Sequence, residues 1–534
     1  MLKLKLGAFF KHIFNELMIN ITTSTTASPC MATSCLAMVL ACASSESQAG
    51  DVHWNQFRGP NGSGVVNVFN PPIKFDPEKP AWNTPIPPAH SSPVVWADRV
   101  FLTGVDEGRL ATLSLDARTG KILWKRLAPK VELARTHRAS SNAASTPCAD
   151  AERVWVYFGS YGLICYDHDG EEQWTKSIPT PQSMYGMSTS PILHEGKLIL
   201  LLDNDRNLKG SRLSQSKLIA LNSKTGERVW ETARPYSRSS WSTPVIWKHD
   251  KGIEIAVLGN GRAYGYDASS GEERWYVNGF SRETIAVPVI GNGRLHLSAS
   301  RQGGWGDSEV DPLPFWNAVL PFDTNKDGRI GRDEMSKDFT VPFRPELPIG
   351  HPGFGMPLPA DPKRRKQRQH ALFNWRDTNR DGFWTKEEFM TDMKVGRGQP
   401  NLAAINSGGR GNITESHGAW NLRRGIPEVP SPIFHENRVY LIRAGGILTC
   451  VKAEDGEIVY RERMGAPGQY SASPVIARDH LYLVSDRGTL TVIKAGDAFE
   501  VVHQTKLGIP VSGTPALDGV TIYIRTREGL LAFR

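Results

Sequence analysis

At 534 residues, with 40% hydrophobic and 22% charged residues and 15 tryptophans, the chain exceeds one ordinary domain and has ample material for a core, which excludes a disordered chain. Its net charge of +8 is a thin excess over that length, and no basic run interleaves with aromatics as a nucleic-acid groove requires, so nucleic-acid partners are not expected. Six cysteines without a CxxC spacing write neither a disulfide framework nor a zinc site.

Residues 1–49 read as a leader. The apolar stretch CLAMVLACA at 35–43 is too short to span a bilayer, no other segment reads as a transmembrane helix, and SQA at 47–49 offers small residues for cleavage. Export to the periplasm, the cell envelope or the exterior is expected. VLAC, ending at Cys42, resembles a bacterial lipobox, in which that cysteine would be acylated as a lipid anchor. Cleavage after Ala49 is the other reading, and both stay open. The charged start MLKLKLGAFFKHIF lies far upstream of the apolar core, so Met18 and Met31 are further candidate starts.

From residue 52 the chain repeats. A short polar lead-in, a proline and then an apolar strand recur at Pro93, Pro147, Pro191, Pro244, Pro288, Pro432, Pro474 and Pro515. The intervals are about 41 to 54 residues, the length of a four-stranded blade, except one of about 144. Each unit then closes with an Asp/Asn-to-Gly turn and a return strand ending in an aromatic: LSLDARTGKILW at Trp124, ICYDHDGEEQW at Trp174, IALNSKTGERVW at Trp230, YGYDASSGEERW at Trp275, and TCVKAEDGEIVY with Tyr460 in that slot. The turn supplies a positive φ, and the tryptophan can dock flat on the neighbouring blade.

The long interval holds two copies of the twelve-residue pattern D-x-[DN]-x-[DN]-G-x5-E, DTNKDGRIGRDE at 323–334 and DTNRDGFWTKEE at 377–388. This is the EF-hand loop. Asp323, Asn325 and Asp327 take positions 1, 3 and 5, Gly328 makes the turn, Arg329 offers its carbonyl, and Glu334 closes bidentately; Asp377, Asn379, Asp381, Gly382, Phe383 and Glu388 repeat the set. Hard oxygen donors predict two calcium ions, bound at micromolar to millimolar strength as a constitutive brace. Ile330 and Trp384 at position 8 are apolar, as a short β contact between paired loops needs. KRRKQRQ at 363–369 reads as the solvated face of the helix entering the second loop. The insertion, residues 305–398, is placed between the second and third strands of blade five, which divides the propeller into 52–304 and 399–534.

The last unit, TPALDGVTIYIRTREGLLAFR, lacks a return strand, and the missing piece stands at the other end in PAWNTPIP around Trp82. Pairing the two closes a ring of eight blades and removes the exposed edges. The repeated D-x-x-T-G-x-x-x-W turn, WNQFRGPNGSG at 54–64 and the run GRGNITESHGAWNLRRGIPEVPSPIFHENRVYLIRAGGILTC resemble the bacterial PQQ-like (pyrroloquinoline quinone repeat) β-propeller proteins. The resemblance implies an all-β, eight-bladed β-propeller of the quinoprotein type, here with a small α-helical EF-hand insertion in blade five. That family shares its blade with quinoprotein alcohol dehydrogenases and with lipoprotein propellers that assist outer-membrane protein assembly.

Residues just ahead of the prolines are expected to ring one mouth of the channel: His137, Asn142, Tyr185, Ser240, Trp241, His417 and Tyr470. They could form a polar, aromatic funnel for a small planar ligand, a sugar or a peptide, or merely satisfy turn hydrogen bonds. The quinoprotein dehydrogenases carry an adjacent cysteine pair beside the quinone, and this sequence has no Cys-Cys dipeptide. No catalytic residue can be assigned. The reading is therefore an exported, calcium-binding scaffold that is not an enzyme, with a protein partner or cell-envelope component. The alternatives are a quinone-dependent oxidoreductase using PQQ and a polysaccharide-binding propeller.

Overall fold

A continuous apolar run bounded by Gly and Asp turns buries both of its faces only when it lies between two sheets, and that is how the repeats fold. The computed structural model describes residues 52–534 apart from 179–184, 204–215, 235–236, 238–239, 260, 282–283, 301–312, 343–347, 351–353, 378 and 393–399, so the leader readings, Cys42 and Ala49 among them, lie outside the described residues. Eight sheets, each with four antiparallel strands and two of them extended by a short parallel fifth, follow one another along the chain, an eight-bladed β-propeller. In blade one the strands are Val94–Trp96, Arg99–Asp106, Arg109–Asp116 and Ile122–Leu127. The middle strands are buried almost throughout, whereas the outermost alternate between half-buried and exposed, as Glu172–Ser177 does in blade two.

Blade eight contributes Ala516–Asp518, Thr521–Arg525 and Gly529–Phe533, and its fourth strand is Trp82–Pro85, with Trp82 opposite Ala532 and Pro85 opposite Gly529. The ring closes as the complementary truncations require. Blade five contributes Val289–Gly291, Arg294–Ala299, Asn401–Ile405 and Gly418–Leu422, so residues 300–400 connect its second and third strands.

Two devices join the blades. In the first, a tryptophan lies against the turn glycine of the next blade: a Cβ on Gly170, Gly226 or Gly456 would stand 2.7, 2.8 or 2.5 Å from Trp124, Trp174 or Trp420. The indole N–H groups donate to the same turns, Trp124 to His168 O (2.7 Å), Trp174 to Ser223 O (3.0 Å) and Trp420 to Ala453 O (2.9 Å). In the second, the residue before each lead-in proline donates its N–H to the hydroxyl one blade on. Ser92 donates to Thr146, Thr146 to Ser190 and Ser190 to Thr243; Val287 donates to Ser431, Ser431 to Ser473, Ser473 to Thr514, and Thr514 back to Ser92, all between 2.9 and 3.1 Å. Proline has no N–H, so its predecessor must carry the inter-blade bond. Val287 has no hydroxyl, and there the belt is interrupted.

The centre of the ring is filled by residues 54–66. Trp54 O accepts from Val95 N in blade one, and Asn55 O from Ala149 N in blade two, both at 2.8 Å. The Asn61 amide bridges Ile246 N and O in blade four (2.9 and 2.8 Å), Arg58 donates to Pro432 O at the start of blade six (2.7 Å), and Val65–Val66 pairs in parallel with Ile476–Ala477 in blade seven. All of these partners belong to innermost strands or the turns that lead into them, so the segment occupies the central channel. Trp54 and Arg58 are fully buried. Burial lowers the Arg58 pKa, although a guanidinium remains a cation at neutral pH.

The seam between blades four and five departs from the pattern. Trp275 does not dock on blade five; it sits edge-on to Trp247 and donates to Glu254 Oε2 at 2.6 Å inside its own blade, while Gly411–Asn412 adds a parallel fifth strand beside it. Further along blade five, His296 is fully buried, stacked on Phe434 at 5.8 Å, with neither ring nitrogen in a hydrogen bond of normal geometry. Burial pushes its pKa down to about 4, so the folded protein keeps the ring neutral while the unfolded chain takes up a proton below about pH 6.5. This part of the stability is complete above pH 6.5 and is lost as the pH falls toward 4, by about 3 kcal/mol in all. In urea titrations, wild type minus H296L should become less favourable to wild type by that amount between pH 7 and 4; a pH-independent difference would refute the assignment.

The insertion carries its own core. Helices α1 (Leu313–Val319), α2 (Pro362–Arg376) and α3 (Lys386–Asp392) pack around Phe315, Trp316, Phe339, Phe373, Trp384 and Phe389, and every buried member of that cluster lies between Phe315 and Phe389. In an antiparallel blade the connection from strand two to strand three emerges at the same end as the lead-in to strand one. The insertion therefore leaves the propeller from the face that carries the prolines.

Candidate functional site

In each twelve-residue loop the local sequence forces the chain round its own carboxylates. Residues 4 and 6 of both loops have positive φ, Lys326 and Gly328 in one, Arg380 and Gly382 in the other, which is why glycine stands at the sixth position. In the first loop Asp323 Oδ2 accepts from Gly328 N (2.8 Å), Asn325 Oδ1 from Asp327 N (2.9 Å) and Asp327 Oδ1 from Arg329 N (2.9 Å). Glu334 reaches back across the loop to Thr324 N and Gly331 N, both at 2.7 Å. Burial works against the charge of Glu334, yet the backbone N–H groups of Gly331, Asn325 and Thr324 hold its pKa below the ordinary value.

The second loop repeats this geometry. Asp377 Oδ2 accepts from Gly382 N (2.9 Å), Asn379 Oδ1 from Asp381 N (2.9 Å), Asp381 Oδ1 from Phe383 N (2.9 Å), and Glu388 from Asn379 N and Thr385 N (3.2 and 3.1 Å). Here α2 enters and α3 leaves, with Glu388 on α3. The first loop is entered from α1 through a short turn of 3-10 helix, Leu320–Phe322, and continues without a following α-helix. Ile330–Gly331 and Phe383–Trp384 pair antiparallel, Ile330 opposite Trp384, so the position-8 residues do bring the loops together.

The donor set consists of hard oxygens only, and one of them is left over: Asp377 Oδ1 is buried and has no hydrogen-bond partner among the described residues. An unpartnered buried carboxylate oxygen is costly, and a cation coordinated at position 1 would satisfy it. Among the described residues no three His, Cys, Asp or Glu side chains are gathered tightly enough to hold a metal by themselves. Each loop would also draw on an asparagine oxygen and on the carbonyl of Arg329 or Phe383.

The seven proposed mouth residues do not form one funnel. Three of them do meet: His137 stands edge-on to Tyr185 (5.0 Å), and Tyr185 edge-on to Trp241 (5.2 Å), linking the lead-ins of blades two, three and four, with the Trp241 indole donating to Gly186 O (2.7 Å). Asn142 accepts from Ser160 Oγ (3.0 Å), Ser240 donates to Leu258 O (2.5 Å) and the Tyr470 hydroxyl donates to Ala466 O (2.9 Å), all local contacts that fasten turns. His417 is misplaced by the sequence reading. It lies between the third and fourth strands of blade five, at the opposite end of the blade from the lead-ins, where its N–H meets Ile413 O (3.1 Å). The reading took His417 as lying ahead of Pro432, whereas the fourth strand of blade five, Gly418–Leu422, stands between them.

A buried ion pair within blade three, bonded on to blade four, left no mark in the sequence. Arg234 and Asp203, 1% and 0% exposed, meet in two parallel bonds of 2.8 and 3.0 Å, and the guanidinium also donates to the Tyr266 hydroxyl and lies 4.6 Å from the Tyr264 ring. The described cysteines, Cys148, Cys165 and Cys450, are free and buried, and burial pushes the thiols of Cys165 and Cys450 up to about 12.

No curated protein matches the chain. Among solved structures, BamB from Moraxella catarrhalis is 10% identical, with 85% of this chain and 96% of that chain covered at a TM-score of 0.49. A europium-containing methanol dehydrogenase is 11% identical, covering 88% and 89% at 0.48, and the computationally designed Ika8 protein 9% identical, covering 84% and 97% at 0.47. A family model described as "Outer membrane protein assembly factor BamB" matches residues 75–275, 214–319 and 401–534, which leaves out the two loops and takes in most of the propeller. With well over half of its length matched, the chain belongs to this family of PQQ-repeat propellers.

Proposed function

We propose that this protein is an exported scaffold of the cell envelope that binds protein partners without catalysis and displays a calcium-braced helical module on the lead-in face of its propeller. The observation that carries the calcium reading is the second loop, where Asp377 Oδ1 is buried without a partner among oxygens already turned inward. Calcium at Asp323, Asn325, Asp327, Arg329 and Glu334, and at Asp377, Asn379, Asp381, Phe383 and Glu388, would set four positive charges among six carboxylates and tie α2 to α3. The family description names an assembly factor, and a channel filled by residues 54–66 supports a protein that acts through its faces. The stretch CLAMVLACA with Cys42 and Ala49 supports export, with or without acylation.

Calorimetric titration of calcium into the metal-free chain should show two ions bound with dissociation constants on the order of micromolar to millimolar. E388Q removes one arm of the bidentate ligand and should weaken one site by roughly tenfold to a hundredfold, leaving the other in place. Absence of saturable heat in folded protein, or an E388Q titration identical to wild type, would end the calcium reading.

A further inference from the structure

The module bears a charge arrangement that its own stability does not explain. Helix α2 opens with Lys363, Arg364, Arg365 and Lys366 in its first turn, with no acidic residue there. Cations at a helix N-terminus face the positive end of the macrodipole, so this placement costs stability. The cap is Asp361, which accepts from Arg364 N at 2.8 Å, a single carboxylate against four cations. Lys363, Arg364, Lys366 and Arg368 are exposed, and the first three form no ion pair with any described residue. Burial on α2 begins only at Leu372 and Phe373, so the first two turns stand clear of the module's core.

A second observation lies beside the charges. Met356 is 44% exposed and its sulfur accepts from Arg368 Nη2 at 3.8 Å, which sets an exposed apolar side chain against the cationic helix; Ile349 on the same module is 47% exposed. Cations distributed round a protruding helix, next to an exposed thioether, match an extended anionic plane with an apolar layer beneath it better than they match a narrow groove or a single acidic peptide.

We infer that the first two turns of α2, with Met356, form a docking surface for anionic phospholipid headgroups, and that the insertion holds the propeller against a membrane leaflet. This goes beyond the calcium reading and is measured separately from it.

The test is co-sedimentation of the chain from residue 50 onward, in calcium-containing buffer, with vesicles of phosphatidylcholine alone or with about 30% phosphatidylglycerol. Binding to the anionic vesicles only is expected, with K363Q/R364Q/K366Q lowering the partition coefficient by roughly a hundredfold. A control, K121Q/K130Q/K506Q, removes the same charge from the propeller and should stay within about twofold of wild type. Because the three α2 side chains are solvated and face the positive end of the helix, the α2 variant should melt at or slightly above the wild-type temperature, and the control as wild type does. Equal binding to the two vesicle types, or equal losses in the two variants, would overturn the inference. So would a variant that loses affinity for a short single-stranded DNA while its vesicle binding is unchanged, which would give the surface to a nucleic acid.

Discussion

A chain that begins at residue 87 is expected to yield no soluble, cooperatively melting protein. The deletion removes the fourth strand of blade eight and with it four residue pairs between Trp82–Pro85 and Gly529–Phe533, leaving an open sheet edge on an otherwise closed ring. It also removes the channel segment. Trp54, Phe69, Phe75, Trp82 and Ile86 are each less than 10% exposed, and at about 1.5 to 3 kcal/mol per buried side chain their loss comes to roughly 8 to 15 kcal/mol. That equals the whole stability of a typical domain. The milder W82A should cost about 3 to 5 kcal/mol, read as a shifted urea midpoint. A truncated chain that melts with wild-type cooperativity would show that neither segment holds the ring.

Breaking the buried ion pair of blade three, which reaches blade four through Tyr266, is the second large effect. R234M leaves the Asp203 carboxylate, 0% exposed, without a counter-charge, and should cost about 3 to 5 kcal/mol; D203L strands the guanidinium with a similar penalty. Burial disfavours the Arg234 cation, but Asp203 and the Tyr266 hydroxyl more than offset that and raise its pKa. Since the hydroxyl would also lose its partner, R234M/D203L/Y266F is the fair apolar replacement and should return to within about 1 kcal/mol of wild type. If the triple variant is as unstable as R234M, the site depends on the geometry of the pair and not on charge compensation. The measurement is a denaturant series in which the coupling among the three positions is read as non-additivity.

The blade count and the closure were legible because two residue types recur at fixed places for separate physical reasons. Proline marks the start of each inner strand, and tryptophan needs a glycine in the next blade, so each repeat betrays its neighbours. The turn geometry of the two twelve-residue loops was legible for a similar reason, since the pattern prescribes a residue at nearly every position, and the pairing of Ile330 with Trp384 followed from apolarity alone. The channel segment was not legible. WNQFRGPNGSG has no periodicity, and what fixes it are bonds to distant backbone, from Asn61 to Ile246 and from Arg58 to Pro432. Trp275 was misread because it turns inward to Glu254, and His417 because the strand Gly418–Leu422 separates it from the lead-in at Pro432.

The closure also dictates an order of events during biogenesis. Trp82 pairs with Ala532 and Gly64 with Ile476, so some of the earliest residues of the described chain to be synthesised are held by some of the last. Until the final blade has emerged, the strand Trp82–Pro85 has no sheet to join, and Val65–Val66 must wait for blade seven. A nascent chain must therefore carry its own lock as an extended, tryptophan-bearing thread. Loops of this length close slowly, and the waiting period is one in which apolar residues are open to wrong partners. The propeller acquires its stability in one late step, and its yield should depend on how well that thread is kept from misuse before the step occurs.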